Sequence, residues 1–184
     1  MDINWSYKNK SHVFDIKDST GVPYLSFKAL DDTGLAVNGF STRMGGASRG
    51  KFSTMNFSYS RGDAAEDVLE NFTRMAAALG VERDRMVVSH QTHTVNLRRV
   101  TQEDAGKGVV RERDYRDIDG LITDVPGITL VTFYADCVPL YLVDQAHRAI
   151  GLSHSGWRGT VKRMGQVTMD AMKEAFGTRP EDLT

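Results

Sequence analysis

The strongest constraint on the fold is that extended segments are many and short while helices are few. Runs rich in β-branched or aromatic residues, or bounded by Gly, Pro or Asp, predict strands at Val13 to Ile16, Tyr24 to Phe27, Leu35 to Thr42 and Met86 to Ser89. Further strands are expected at Val95 to Val100, Ile128 to Tyr134, Leu140 to Val143 and Ala149 to Ser153. Two stretches carry helical periodicity. Val68, Phe72, Met75 and Leu79 recur at helical spacing over Ala64 to Leu79, with Asp63 as the expected N-cap, Glu66 and Asp67 in the first turn and Gly80 as the stop. A second helix is expected from Gly159 to Phe176, with Val161, Met164, Ala171, Met172 and Ala175 on one side and Gly177 ending it.

These elements fit in one domain, because 184 residues with 40% hydrophobic and 26% charged content match a single globular core spanning 1–184. Lys plus Arg number 23 against 24 Asp plus Glu, so bulk charge gives no reason to expect a nucleic-acid or membrane-surface partner. A single cysteine forms no internal disulfide, and the first ten residues lack the apolar core of a secretory signal. No apolar run approaches the roughly 18 residues of a membrane span. A cytoplasmic protein of undetermined oligomeric state is the expectation.

Three segments hold residues suited to chemistry: His90-Gln-Thr-His93, Ala135-Asp-Cys137 and His154-Ser-Gly-Trp-Arg-Gly. A thiolate with two imidazoles is a ligand set of catalytic zinc, leaving a fourth position for water or substrate. The intervals between them match no zinc finger, and Cys137 read alone is a small buried hydrophobe. If His90 and His93 share a strand, they point to opposite faces and only one enters the site. The apolar run before Asp136-Cys137 places the thiol where a strand stops, and Asp136 could bond a histidine ligand or carry a proton. Arg158, at the start of a helix, opposes the dipole, which points to a task other than helix stability or to packing on Trp157. The glycine-rich stretch from Ser41 to Lys51 offers backbone N–H groups and Arg43 to an anion. The charged stretch from Gln102 to Asp119 reads as a solvated loop.

Taken in order, Gly39-Phe-Ser-Thr-Arg-Met-Gly-Gly-Ala-Ser, Met55-Asn56, Gly62-Asp63, Glu70-Asn71, Gln91-Thr-His93, Asp119-Gly-Leu-Ile-Thr, Ala135-Asp-Cys137-Val-Pro and His154-Ser-Gly-Trp-Arg-Gly resemble the YfiH-like laccase-domain family. That family is also called polyphenol-oxidase-domain or LACC-type purine nucleoside phosphorylase. The resemblance covers roughly residues 35 to 184 and implies an α+β fold (layered α/β) with stacked α, β, β and α layers. It implies that His93, Cys137 and His154 bind zinc or copper, which settles the choice between His90 and His93. It further implies phosphorolysis of adenosine, inosine, guanosine and methylthioadenosine, with deamination of adenosine.

Deamination needs a proton carrier, for which Asp136 and Asp119 are the candidates, since the His-x-Glu and Pro-Cys-x-x-Cys signature of the usual zinc nucleoside deaminases is absent. Phosphorolysis needs an anion site. Arg43, Arg74 and Arg158 are its candidates because planar guanidinium groups suit phosphate, with Asn56 as a further substrate contact. Members of the family are also described as polyphenol oxidases and as peptidoglycan-editing hydrolases. Five histidines leave room for one metal centre, not the several of a multicopper oxidase. Phe72 stands where the family commonly has Arg, and Ser155 is a mild change within the last motif. The sequence stops at Pro180-Glu-Asp-Leu-Thr184, where the family continues into a strand and a Gly-Pro-x-Ile-Gly segment. The resemblance therefore also admits a metal-binding fragment with impaired catalysis that lacks the closing portion of the domain.

Overall fold

The computed structural model describes residues 12–184, so the stretch read for a secretory signal lies outside the described residues. Strands β1 (Phe14–Lys17) and β2 (Tyr24–Phe27) lead through the short helix α1 (Lys28–Asp31) to β3 (Phe40–Ser41), and the three strands form an antiparallel sheet in the order β1-β2-β3. Helix α2 (Ala65–Leu79) follows, then β4 (Met86–Val88), β5 (Leu97–Arg99), β6 (Gly120–Thr123) and β7 (Thr129–Val131). The hairpin of β8 (Val138–Asp144) and β9 (Ala149–Ser155) precedes α3 (Trp157–Val161) and α4 (Met164–Phe176). Strands β4 and β7 pair in parallel, while β5-β6-β9-β8 form a mixed four-stranded sheet.

Side-chain alternation turns these sheets into layers, because successive residues of a strand face opposite ways. Met86 and Val88 pack on Val68, Phe72 and Ala76 of α2, whereas Val87 between them joins Leu121, Leu130 and Leu152. In the four-stranded sheet, Leu121 and its cross-strand partner Leu152 face that inner cluster, while Ile122 packs on Met172 of α4 from the other side. The order is therefore α2, the β4-β7 pair, the four-stranded sheet and α4, the expected α-β-β-α stack. Full burial of one such side chain stabilises by about 1.5–3 kcal/mol. Leu121→Ala, at a position with no exposure, opens a cavity costing about 2–5 kcal/mol.

Several elements differ from expectation for local reasons. The strand expected over Leu35 to Thr42 contracts to Phe40–Ser41, the two residues paired with β2. Strand β6 has no alternation to betray it, since all four of its residues are buried. Ala64, not Asp63, occupies the N-cap of α2, because Asp63 takes hydrogen bonds from Ser48 Oγ and Asn56 Nδ2. Gly80 ends that helix in the left-handed conformation, as expected. The second helix is broken in two at Arg163, whose φ of 61° lies in the left-handed region. Val161 consequently sits outside the core at 74% exposure, while Met164 and Met172 are fully buried.

The segment from Gln102 to Asp119 is tied down where a solvated loop was expected. Lys107 Nζ donates to Asp104 Oδ1 at 2.7 Å and to Asp114 Oδ2 at 2.8 Å, Arg98 reaches Asp104 at 2.8 Å, and Tyr115 donates to the Val88 carbonyl. Burial pushes the Asp104 carboxyl up, yet the bonds from Lys107, Thr101 and Arg98 bring it down to about 2. Among the described residues, no helix is long and apolar enough to cross a membrane.

Candidate metal centre

Asp119, the residue before β6, organises the site. Fully buried, it receives the N–H groups of three successive residues: Thr92 at 3.1 Å, His93 at 3.0 Å and Thr94 at 2.8 Å. Such a nest of amides suits an anion, and it holds His93 at a φ of 65°, a conformation that is uncommon outside glycine. Thr94 Oγ1 adds a donor at 2.8 Å, and His154 Nδ1 lies 2.8 Å from the other carboxylate oxygen. Burial pushes the Asp119 carboxyl up, but these donors outweigh it and hold the group below the ordinary carboxylate range.

Both candidate histidines are thus fixed by one carboxylate. His154, on β9 and 3% exposed, uses Nδ1 on Asp119, which leaves Nε2 as its ligand atom. The rings of His93 and His154 meet edge to face with centroids 4.9 Å apart. Cys137 stands just before β8, and its Sγ is 3.8 Å from His93 Nε2 and 3.7 Å from Asp136 Oδ1. The thiol therefore opens a strand, whereas the sequence placed it where one stops, because the preceding β7 ends at Val131. The ligand atoms of His93, Cys137 and His154 all lie within 4.8 Å of one another.

That spacing fits a metal ion. Sulfur and imidazole ligands at about 2.3 and 2.0 Å around a tetrahedral centre lie about 3.5 Å apart, close to the 3.8 Å between Cys137 and His93. The donor set suits zinc and copper alike. Partial burial, with Asp136 and Asp119 nearby, pushes the Cys137 thiol up. A bound cation opposes that shift and favours the thiolate.

Two residues outside the predicted set complete the geometry. Gln91 pairs its side-chain amide with the backbone of Phe133, Nε2 donating to the carbonyl at 2.6 Å and Oε1 accepting the N–H at 2.7 Å. This clasp ties the His93 loop to the segment leading into Cys137, and its sequence signal is the glutamine of Gln-x-His. Gly156 lets the backbone approach the ligands: a Cβ there would lie 2.8 Å from Cys137 Sγ and 3.1 Å from His93 Cδ2. His90 is excluded by position. It bridges to Ile118, its Nδ1 accepts the Asp117 N–H, and β4 ends before it, so strand alternation is not what separates it from His93.

The remaining predicted residues have other surroundings. Arg43 donates to the carbonyls of Lys51 and Ser53, and Arg74 to Glu70 and the Gly45 carbonyl. Asn56 bonds Asp63 and the Ser58 N–H. The amides of Gly46 and Ala47 point at Thr54 Oγ1 and Asn71 Oδ1, so the glycine-rich loop turns these donors inward instead of cradling an anion. Arg158 lies 5.4 Å from the ring centroid of its neighbour Trp157, and Asp136 is exposed beside Cys137. Asp119 has both oxygens occupied, which suits it to orienting the two histidines more than to carrying protons.

The family model described as multi-copper polyphenol oxidoreductase laccase matches residues 37–184. The purine nucleoside phosphorylase YlmD of Bacillus subtilis (strain 168) is 33% identical over 151 residues, covering 80% of this chain and 53% of the relative. The chain thus spans about half the length of the curated relatives it matches. Among solved structures, the Bacillus licheniformis hypothetical protein YfiH superposes with a TM-score of 0.84 at 28% identity, over 94% of this chain and 63% of its own. The structure of YlmD from Geobacillus stearothermophilus gives 0.82 at 32% identity, over 93% of this chain and 62% of its own.

Proposed function

The chain belongs to the family described as multi-copper polyphenol oxidoreductase laccase, and from that premise we propose that it is a metal-dependent purine nucleoside phosphorylase. Its substrates are adenosine, inosine, guanosine and methylthioadenosine, and it also deaminates adenosine. The observation that carries this reading is the convergence of His93, Cys137 and His154 in a chain similar to proteins named purine nucleoside phosphorylase.

A zinc or copper ion would be held by His93, Cys137 and His154 and would supply a Lewis acid there. Asp119 fixes the His154 imidazole and the His93 backbone from behind. Asp136, exposed next to Cys137, is the carboxylate free to carry a proton in deamination. Phosphorolysis forms a bond from phosphate to the ribose C1′ and breaks the bond from C1′ to the purine nitrogen, with the electron pair leaving on the base. Arg158 is the phosphate ligand of this scheme, because Arg43 and Arg74 are engaged by the backbone carbonyls of Lys51, Ser53 and Gly45. Asn56 contributes indirectly by fixing the turn beside that loop.

The test is inosine turnover with and without phosphate in the wild type and in Cys137→Ala. Phosphate-dependent release of hypoxanthine and ribose 1-phosphate, lost in the variant, is the expected result. Equal turnover in both proteins would overturn the reading, and phosphate-independent turnover would identify a hydrolase instead.

A further inference from the structure

Three large apolar side chains stand exposed on the segments that leave the cluster: Val138 at 55%, Trp157 at 72% and Val161 at 74%. Val138 follows Cys137 in sequence and faces Ser155 across the β8-β9 pair. Trp157 and Val161 are one turn apart on α3 and so share a face. The chain passes from Gly156, where a Cβ would meet the Cys137 sulfur and the His93 ring, directly into Trp157. The indole therefore starts one residue beyond the closest approach of backbone to ligands.

Such exposure is not expected of a core residue. Indoles are usually highly buried, and clustered apolar exposure marks a binding surface. The contact Trp157 makes with its neighbour Arg158, at 5.4 Å, leaves most of the ring open. A flat, electron-rich ring beside a cation and next to a metal-ligand cluster suits a flat heteroaromatic base.

Resting on the phosphorylase reading, we infer that Trp157 is the platform on which the purine base stacks, with Val138 and Val161 flanking it. Stacking on an indole discriminates weakly between bases, because each offers a π-face. One platform therefore serves adenine, hypoxanthine and guanine nucleosides alike. Arg158, 5.4 Å from the indole centroid, brings its charge beside the stacked base.

The experiment uses two readouts. In a Trp5→Phe background Trp157 is the sole indole, and titration with inosine or hypoxanthine is expected to quench its fluorescence saturably. For inosine phosphorolysis, Trp157→Ala is expected to raise KM at least about tenfold with bound metal unchanged, and Trp157→Phe to restore most of the loss. Quenching without turnover would sink the phosphorylase reading and keep the platform. Turnover with an unchanged KM in Trp157→Ala, or no quenching, would overturn the platform. A monomer–dimer equilibrium abolished by Trp157→Ala, with KM unmoved, would assign the patch to a second copy of the chain.

Discussion

The β8-β9 hairpin carries a histidine–carboxylate pair at each end, and the two ends behave differently. At the open end, His154 is 2.8 Å from Asp119; at the turn, His147 is 2.8 Å from Asp144. The histidine of each pair belongs to a group of three donors close enough to hold an ion, His93, Cys137 and His154 at the open end and Asp144, His147 and Asp182 at the turn. In the turn cluster both carboxylates are already engaged. Arg179 bonds both oxygens of Asp182 at 2.8 Å, and Asp144 takes the His147 N–H and ring. At the open end Asp119 occupies only the rear nitrogen of His154, and Cys137 touches only His93 and Asp136 among its hydrogen-bond partners. Proximity of donors is thus insufficient for a metal centre. What distinguishes the ends is whether protein cations and amides have claimed the donors first.

The sharpest attack on this contrast removes one donor from each end. Cys137→Ala is expected to lower zinc affinity by more than about a hundredfold, while His147→Ala leaves it unchanged, as read by titration against a chromogenic chelator. Next come the two carboxylates. Asp119→Asn is expected to reduce zinc affinity by about 10–100-fold, because it loosens the His154 ring and the backbone that positions His93. Asp144→Asn leaves affinity alone but destabilises the fold by about 1–3 kcal/mol, since it mismatches the hydrogen bonds of a buried carboxylate. Calorimetric unfolding beside metal titration separates the two effects.

That stability effect carries a pH signature. Burial raises the Asp144 carboxyl, yet the hydrogen bonds from His147 help bring its net value below the ordinary carboxylate range. A depressed folded pKa contributes stability that is present above the unfolded value and lost as pH falls through the folded one. The Tm difference between wild type and Asp144→Asn is therefore expected to be largest near pH 7 and to shrink in acid. A difference independent of pH would show that the turn cluster is held by packing alone.

Glycines give the smallest effects. Gly156→Ala forces a Cβ to 2.8 Å from Cys137 Sγ and is expected to weaken metal binding several-fold. Gly165→Ala, whose Cβ meets only Leu140 at 3.8 Å, is expected to stabilise by about 0.4–1 kcal/mol through the unfolded chain. Equal metal affinity in these two variants would remove Gly156 from the account of the open end.

The open end was legible in the sequence because its ligands sit in short motifs, whereas the turn cluster has no local signature. His147 and Asp144 are three residues apart, but Asp182 arrives from the far side of α4. Helix α2 was read almost to the residue, since one face alternates cleanly and Gly80 stops it. Strand β6 escaped because burial of every residue erases alternation, and the break at Arg163 escaped because its apolar spacing continues across it. The arginines chosen for phosphate illustrate the same limit. Guanidinium chemistry is visible in sequence, but the carbonyls that engage Arg43 and Arg74 come from residues brought near by folding.

The most direct test of the central claim, that Cys137 ligates a metal together with His93 and His154, is the optical spectrum of the cobalt(II)-substituted protein. The account predicts intense visible bands of a tetrahedral site and a near-ultraviolet thiolate-to-cobalt charge-transfer band that disappears in Cys137→Ala and persists in His147→Ala. Weak octahedral bands without charge transfer, or a charge-transfer band that survives Cys137→Ala, would contradict it.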